Sequence, residues 1–453
     1  MTLVAGIDSS TQSVKIAVCE AETGVVVRHG SAPHPSGTAC PPEAWWEALL
    51  SASAGLLDGV AAIGVAGQQH GMVTLDEAGL PVRPALLWND TRSAAAAAAL
   101  ADEIGAAEWA RAVGSVPVAS FTVSKLRWMA EHEPELAARV QTVLLPHDYL
   151  SLRLCGALAT DRGDASGTGY WSPASGEYRT DLLRHAFGRD LSVPRVAGPS
   201  EVIGATGAGV LVAPGTGDNM AAALGLGAVP GEAVVSVGTS GTVFAVSDIP
   251  AADPSGLVAG FADATGRYLP LACTLSAALV VTSFAGVLGV DLDEFSRLAL
   301  TAPPGADGLV LLPYLDGERT PNLPAATGTL LGVTRRNMTP ANLARATIEG
   351  ILCGLGDALD ALRAAGGTPE RLYLIGGAAA SPAVQQIAAT VFDLPVSVPD
   401  RAEYVARGAA RQAAWALTGT WPDWPSVPLR HQDPVPAAHV REAFAAARAL
   451  VHG

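Results

Sequence analysis

A short strand, a turn of small polar residues and a second strand occur twice in this chain, at its start and again past its middle. This repeat constrains the fold more than any other feature. Leu3 to Ile7 is apolar, Asp8 to Ser13 is polar and small, and Val14 to Val18 is apolar again, the pattern of strand, turn and strand. A third extended run, Val25 to Arg28, follows the turn signal Glu22-Thr23-Gly24. The arrangement returns as Ala233 to Val237, Gly238-Thr239-Ser240-Gly241 and Thr242 to Val246. Two like hairpins, each opening about half of the chain, predict two like-folded domains, 1–229 and 230–453, joined near Val229-Pro230-Gly231.

The segments between the hairpins read as helices alternating with short strands. Glu43 to Leu57 and the alanine-rich Ser93 to Glu103 are helical, with Ala61 to Ala66 a strand between them. In the second half Thr339 caps a helix that has Pro340 in its first turn and runs to about Ala365, where Gly366-Gly367 stops it. A strand at Leu372 to Ile375, a helix from Ser381-Pro382, a strand at Val396 to Val398 and a helix from Glu403 to Leu417 follow. The proline-rich stretch Trp421 to Pro436 reads as a surface loop before a closing helix from Ala438 to Leu450. Alternation of this kind builds α/β domains with covered sheets.

Composition removes several classes of function. The formal charge of −15 repels polyphosphate backbones, which excludes a nucleic-acid partner. Five well-separated cysteines form no C-x-x-C pair and read as reduced thiols. The first eight residues, with no basic leader and only a short apolar run before Asp8, predict a cytoplasmic protein. Leu269 to Val290 is uncharged, but Thr274, Ser276, Thr282 and Ser283 interrupt it, so it reads as a buried strand and helix and not as a membrane span. Only Lys15 and Lys125 are lysine; every other basic residue is arginine.

Four places carry candidate chemistry. The turn Gly6-Ile7-Asp8-Ser9-Ser10-Thr11 offers a carboxylate and hydroxyls that suit a phosphate and a hydrated Mg²⁺, and Gly238, Thr239 and Ser240 offer the same small donors in the second half. No G-K-S or G-K-T follows, which excludes a P-loop. Asp218 is the only charged residue between Val202 and Gly231; set beside Asn219 among glycines, it can accept a proton from a substrate hydroxyl. Gly67-Gln68-Gln69-His70-Gly71 and Trp88-Asn89-Asp90 present amide, imidazole, indole and carboxylate groups suited to a polyhydroxylated neutral ligand, with no second histidine at metal spacing. Gly376-Gly377 can seat a nucleotide between a strand exit and a helix start, though such a pair is equally a turn.

These motifs, with Leu145-Pro146-His147-Asp148-Tyr149-Leu150 and Pro313 to Pro321, resemble the FGGY family of carbohydrate kinases over nearly the whole chain. The resemblance implies two actin-like, RNase H-like α/β domains flanking a central cleft, with ATP and Mg²⁺ on one side and an open-chain sugar on the other. It makes Asp218 the catalytic base and Asp8 the carboxylate near Mg²⁺, which it holds through water. It makes Gln69, His70, Trp88, Asp218 and Asn219 the sugar contacts, and Thr11, Gly238, Thr239, Ser240, Gly376 and Gly377 the ATP contacts. The expected reaction moves the γ-phosphoryl of ATP to the 5-hydroxyl of D-xylulose, by a cytoplasmic enzyme that takes small molecules only and is compatible with a homodimer. A sister kinase for another ketose or polyol is the alternative, and a non-catalytic sugar sensor a further one. Two departures from the family pattern stand at the site. Gln69 precedes the histidine where Met is common, and Ala378-Ala379-Ala380 follows the glycine pair where another glycine and a polar side chain are usual.

Overall fold

The computed structural model describes residues 1–453 as an α/β protein of two compact units. The first comprises Met1–Ala228, Asp248–Leu269 and Ala402–Ser426; the second comprises Val229–Ser247, Pro270–Arg401 and Val427–Gly453. The chain thus first leaves one unit at Ala228, beside the expected junction, and two later segments belong to the first unit.

The first unit holds a seven-stranded sheet. Leu3–Ser9 and Ser13–Glu20 form the opening hairpin and Val26–Pro33 extends it antiparallel, while Val60–Gly67 joins the other side of Leu3–Ser9 in parallel. Successive side chains of a strand point to opposite faces. Ala5 and Ile7 therefore pack with Trp45, Ala48 and Leu49 of the helix Pro42–Ser53, whereas Val4 packs with Ala406, Ala410 and Ala413 of the helix Tyr404–Thr418.

That second helix rests on the sheet almost backbone to backbone. A Cβ on Gly6 would stand 1.8 Å from the Ala406 carbonyl oxygen, and one on Gly64 2.3 Å from that of Ala409. The same helix crosses the helix Asp218–Leu226, where a Cβ on Gly408 would stand 1.9 Å from the Ala221 oxygen and one on Gly225 2.0 Å from that of Tyr404. Two buried arginines close the crossing: Arg407 donates to the Gly225 oxygen, and Arg411 to the Leu224 oxygen at 3.1 Å.

In the second unit Glu232–Val237 pairs antiparallel with Gly241–Ala245 and parallel with Arg371–Ile375, the arrangement already seen around Leu3–Ser9. Tyr268–Thr274 lies outside Gly241–Ala245, and Val396–Pro399 then Leu429–Gln432 lie outside Arg371–Ile375. The helix Pro340–Ala364 begins as its sequence signals require, with the Thr339 hydroxyl accepting from Asn342 N.

Two expectations are corrected. The stretch Trp421 to Pro436 is not merely a surface loop: Leu429–Gln432 is a strand paired with Val396–Pro399, and buried Trp424 donates its indole N–H to the Ala21 oxygen at 2.8 Å. The apolar stretch near 269–290 does form a strand and a helix, Ala278–Leu288, but only Val280 and Ala285 of that helix are buried, with Leu279 and Val287 exposed. No helix is long and apolar enough to cross a membrane.

The glycine contacts yield a prediction with opposite signs at two sites. Gly408→Ala forces a methyl into backbone and should cost about 2–3 kcal/mol, lowering the melting temperature of the purified protein. Gly354→Ala lies inside the helix Pro340–Ala364 with nothing within 4 Å of the added Cβ, so it should stabilise by about 0.5–1 kcal/mol. Thermal melts of both variants check the pair.

Candidate active site

Three parallel strands of the first unit end side by side. Ser9 stands opposite Gly67, and Gly217 stands opposite Gly67 on its other flank. Asp8, the turn Gln68 to His70 and Asp218 therefore leave one edge of the sheet, the carboxyl edge at which α/β proteins bind ligands.

Asp218 opens the helix Asp218–Leu226 directly after the strand Thr216–Gly217. Its Oδ1 accepts from Asn219 N at 2.8 Å and from Asn219 Nδ2 at 2.9 Å, and the same Nδ2 donates to Gln69 Oε1 at 3.0 Å. A Cβ on Gly217 would lie 2.7 Å from Gln69 Cγ, so the glycine admits the Gln69 side chain beside Asp218. Removal from water, then the nearby negative charges of Asp8 and Asp164, push the Asp218 carboxyl up to about 7. A carboxyl so placed exchanges its proton near neutral pH, as a general base must.

His70 adopts a left-handed backbone, φ 65°, a conformation costing a non-glycine residue about 1–3 kcal/mol. Its surroundings hold it there. His70 Nδ1 lies 2.8 Å from the Gly167 oxygen, and because a carbonyl only accepts, Nδ1 carries the proton. The ring packs on Phe121 and Phe261 at centroid distances of 4.8 and 5.5 Å. A Cβ on Gly167 would stand 2.5 Å from Nδ1, so only glycine lets the ring reach that carbonyl.

Beneath these groups lies a buried polar network that the sequence reading did not assign. His147, fully buried, meets Asp164 Oδ2 through Nδ1 at 2.6 Å and lies 3.2 Å from Asp148 through Nε2. Asp161 accepts from Gly163 N and Asp164 N, capping the helix Arg162–Ser166, and from the Thr216 hydroxyl at 2.7 Å. The network thus joins the strand before Asp218 to the segment whose Gly167 oxygen holds His70. Burial pulls the imidazole of His147 down, but Asp148, Asp164 and Asp161 outweigh it and raise it to about 10. Burial raises Asp148 to about 7 and Asp161 to about 6 against the pull of His147. The signal for these residues was the His147-Asp148 pair inside a quoted motif and the polar run Thr160 to Thr168; their meeting in space is tertiary.

Asp8 is 3% exposed. Burial lifts its carboxyl to about 6, while the hydroxyl of Ser10, which donates to it, and the ammonium of Lys15 pull the other way. Lys15 stands opposite Asp8 in the hairpin and donates to Glu403 Oε2 at 2.7 Å; its place beside Asp8 was legible only once the register was known. Trp88 donates its indole N–H to the Thr11 hydroxyl at 2.8 Å, which ties a residue expected at the sugar to one expected at ATP. Asp90 accepts from Thr38 and Arg92 and orders its own turn.

The remaining expected residues belong to the second unit. Ser236 pairs with Ile375, so the turn Gly238 to Ser240 and the turn Gly376-Gly377 emerge together from adjacent parallel strands. Gly376 has φ 94° and lies against the strand, where a Cβ would meet the Val237 oxygen at 2.6 Å. Thr239 and both glycines are exposed. The alanines after them form one turn of 3₁₀ helix, Gly377–Ala380, whose Ala379 oxygen accepts from Gln385 Nε2 at 2.7 Å.

The N-terminal domain of the FGGY family of carbohydrate kinases matches residues 3–225, and the C-terminal domain of the same family matches residues 233–417. A xylulose kinase of Streptomyces coelicolor is 50% identical over 434 residues, which covers 92% of this chain and 88% of the relative. One from Streptomyces rubiginosus is 48% identical over 437 residues, 93% of this chain and 89% of its own. The crystal structure of xylulose kinase from Bifidobacterium adolescentis is 44% identical, with a TM-score of 0.92 and 99% of each chain covered. The fold is therefore the two-domain actin-like α/β fold. With both domain models matched along the chain and relatives this similar, the protein belongs to the FGGY family of carbohydrate kinases.

Proposed function

We propose that the protein transfers the γ-phosphoryl group of ATP to the 5-hydroxyl of D-xylulose, giving D-xylulose 5-phosphate and ADP. The observation that carries this reading is Asp218, a carboxyl held near neutrality at the carboxyl edge of the sheet among Gln69, His70 and Asn219. The choice of sugar rests on the likeness to xylulose kinases across most of the chain.

Asp218 Oδ1 already accepts both donors of Asn219, which leaves Oδ2 to take the proton of the attacking hydroxyl. As the sugar oxygen bonds to the γ-phosphorus, the bond to the β,γ-bridging oxygen breaks and ADP leaves with that electron pair. Such transfers pass through a loose transition state, so orientation and charge neutralisation matter more than basicity. His70 and Gln69 orient the sugar. The Gln69 Nε2 is buried without a protein partner, which suits a substrate oxygen. Thr239 and Ser240, with the backbone of Gly238, receive the phosphates, and Gly376-Gly377 lets the adenosine approach.

The carboxylate of Asp8, with the Ser10 hydroxyl beside it, offers oxygen donors that fit a hydrated hard cation. Mg²⁺ bound there would supply neutralisation of phosphate charge. Asp8 would hold it through water, and a dication beside this buried carboxyl favours its ionised form.

A coupled ADP-release assay over pentuloses, hexuloses and polyols tests the proposal, with ³¹P NMR identifying the product. D-Xylulose should give the highest kcat/KM, and a hexulose or polyol that exceeded it would overturn the sugar assignment. Asp218→Asn should lower kcat by roughly 10²- to 10⁴-fold with little change in the dissociation constant for xylulose.

For the wild type, log kcat/KM should rise with pH to about 7 and level above it, as the base ionises. Stability has the opposite slope. The folded value of Asp218 lies above the ordinary 3.8, so the neutral carboxyl favours folding at low pH and that advantage is lost as pH rises through about 7. Asp218→Asn should therefore melt above the wild type at pH 8 and level with it near pH 4. Gly167→Ala, which displaces the His70 ring, should raise KM for xylulose about tenfold and leave KM for ATP unchanged in steady-state assays.

A further inference from the structure

We propose that Lys125, together with Thr122, is a positioning residue for sugar recognition: its buried ammonium fixes the carbonyl of His70 and with it the left-handed turn that presents the imidazole. The proposal rests on the reading that His70 contacts the sugar.

Lys125 is 0% exposed. It lies in the helix Thr122–His132, and its Nζ donates to the Ser120 oxygen and, at 3.3 Å, to the His70 oxygen. The Thr122 hydroxyl donates to the same His70 oxygen at 3.2 Å. Phe121, the residue before this helix, packs its ring on the imidazole. One helix start therefore grips both the backbone and the ring of a residue held at φ 65°. On the far side a Cβ on Gly71 would stand 2.5 Å from Pro146, so the next residue is wedged as well.

The lysine itself is informative. In a chain with 28 basic residues only two are lysine, and both lie at this edge of the first unit: Lys15 opposite Asp8, and Lys125 under His70. Elsewhere in the unit, buried cations that donate to carbonyls are arginines, Arg407 to Gly225 and Pro425 and Arg411 to Leu224 and Pro422. A guanidinium is a wide planar fork, whereas an ammonium is a compact point charge with three rotatable donors. The narrow space between Ser120 and His70 takes the second shape. Burying a charge is costly, and an apolar side chain of equal length would fill the helix face without serving the His70 carbonyl.

A double-mutant cycle tests this on the full-length enzyme. Lys125→Met should raise KM for xylulose tenfold or more and leave KM for ATP within twofold, a split that general loosening of the fold would not produce. In a His70→Ala background the same substitution should change KM for xylulose less than twofold, because the group it positions is gone. Lys125→Arg should not restore wild-type KM. If Lys125→Met does not fold, Thr122→Val takes its place: it should raise KM for xylulose about threefold, and not at all in the His70→Ala background. Equal changes in both KM values, effects that multiply with His70→Ala, a fully active Lys125→Arg, or an inert Thr122→Val would overturn the positioning role. A His70→Ala enzyme with unchanged KM for xylulose would instead remove the sugar contact on which the proposal rests.

Discussion

Four glycines, Gly6, Gly64, Gly225 and Gly408, let one alanine-rich helix lie in backbone contact with two strands and with the helix that begins at Asp218. The position of the Asp218 carboxyl depends on this contact. A helix set on a sheet by large side chains can shift as they change rotamer, but one resting on carbonyl oxygens and Cα hydrogens has no such freedom. The price is that the crossing tolerates no Cβ at any of the four positions. Arg407 and Arg411 then satisfy carbonyls at the far end of the Asp218 helix, so that helix is held along its side and at its C-terminus.

The chemistry placed on this frame is electrostatically unfavourable to the resting fold. Asp8, Asp161, Asp164 and Asp218 all have carboxyls raised by burial, and only His147 among their buried neighbours supplies a cation that three carboxylates share. The like charges of Asp8 and Asp164 help to lift Asp218 into the range a base needs. Basicity at Asp218 and stability at neutral pH are thus opposed. A cation bound beside them would relieve part of that repulsion.

Much of this was legible from local pattern. The paired hairpins, the helix begun by Thr339 and Pro340, and the candidate residues Asp8, His70 and Asp218 all announce themselves within windows of a few residues, because turn chemistry and an isolated charge among glycines are local properties. The strand Leu429–Gln432 was not legible: Leu429-Arg430-His431-Gln432, flanked by Pro428 and Pro434, carries no strand signal, and it exists because Val396–Pro399 offers an edge to pair with. The partial exposure of Ala278–Leu288 was equally hidden, since an apolar run says that a helix can be buried and not that a partner covers it.

The sequence by itself determined the repeated architecture, the phosphate-type turns and the residue types able to bind a sugar and accept its proton, since these follow from chain stereochemistry and side-chain chemistry. Tertiary structure decided how they act together. It joined Gln69 to Asn219 across 150 positions and His70 to Gly167 across 97. It gathered His147 with three carboxylates and set Lys125 beneath His70. The physical reason is that a carboxyl's proton affinity and a ring's orientation depend on the charges, donors and solvent within a few ångströms, and only the folded chain specifies that neighbourhood.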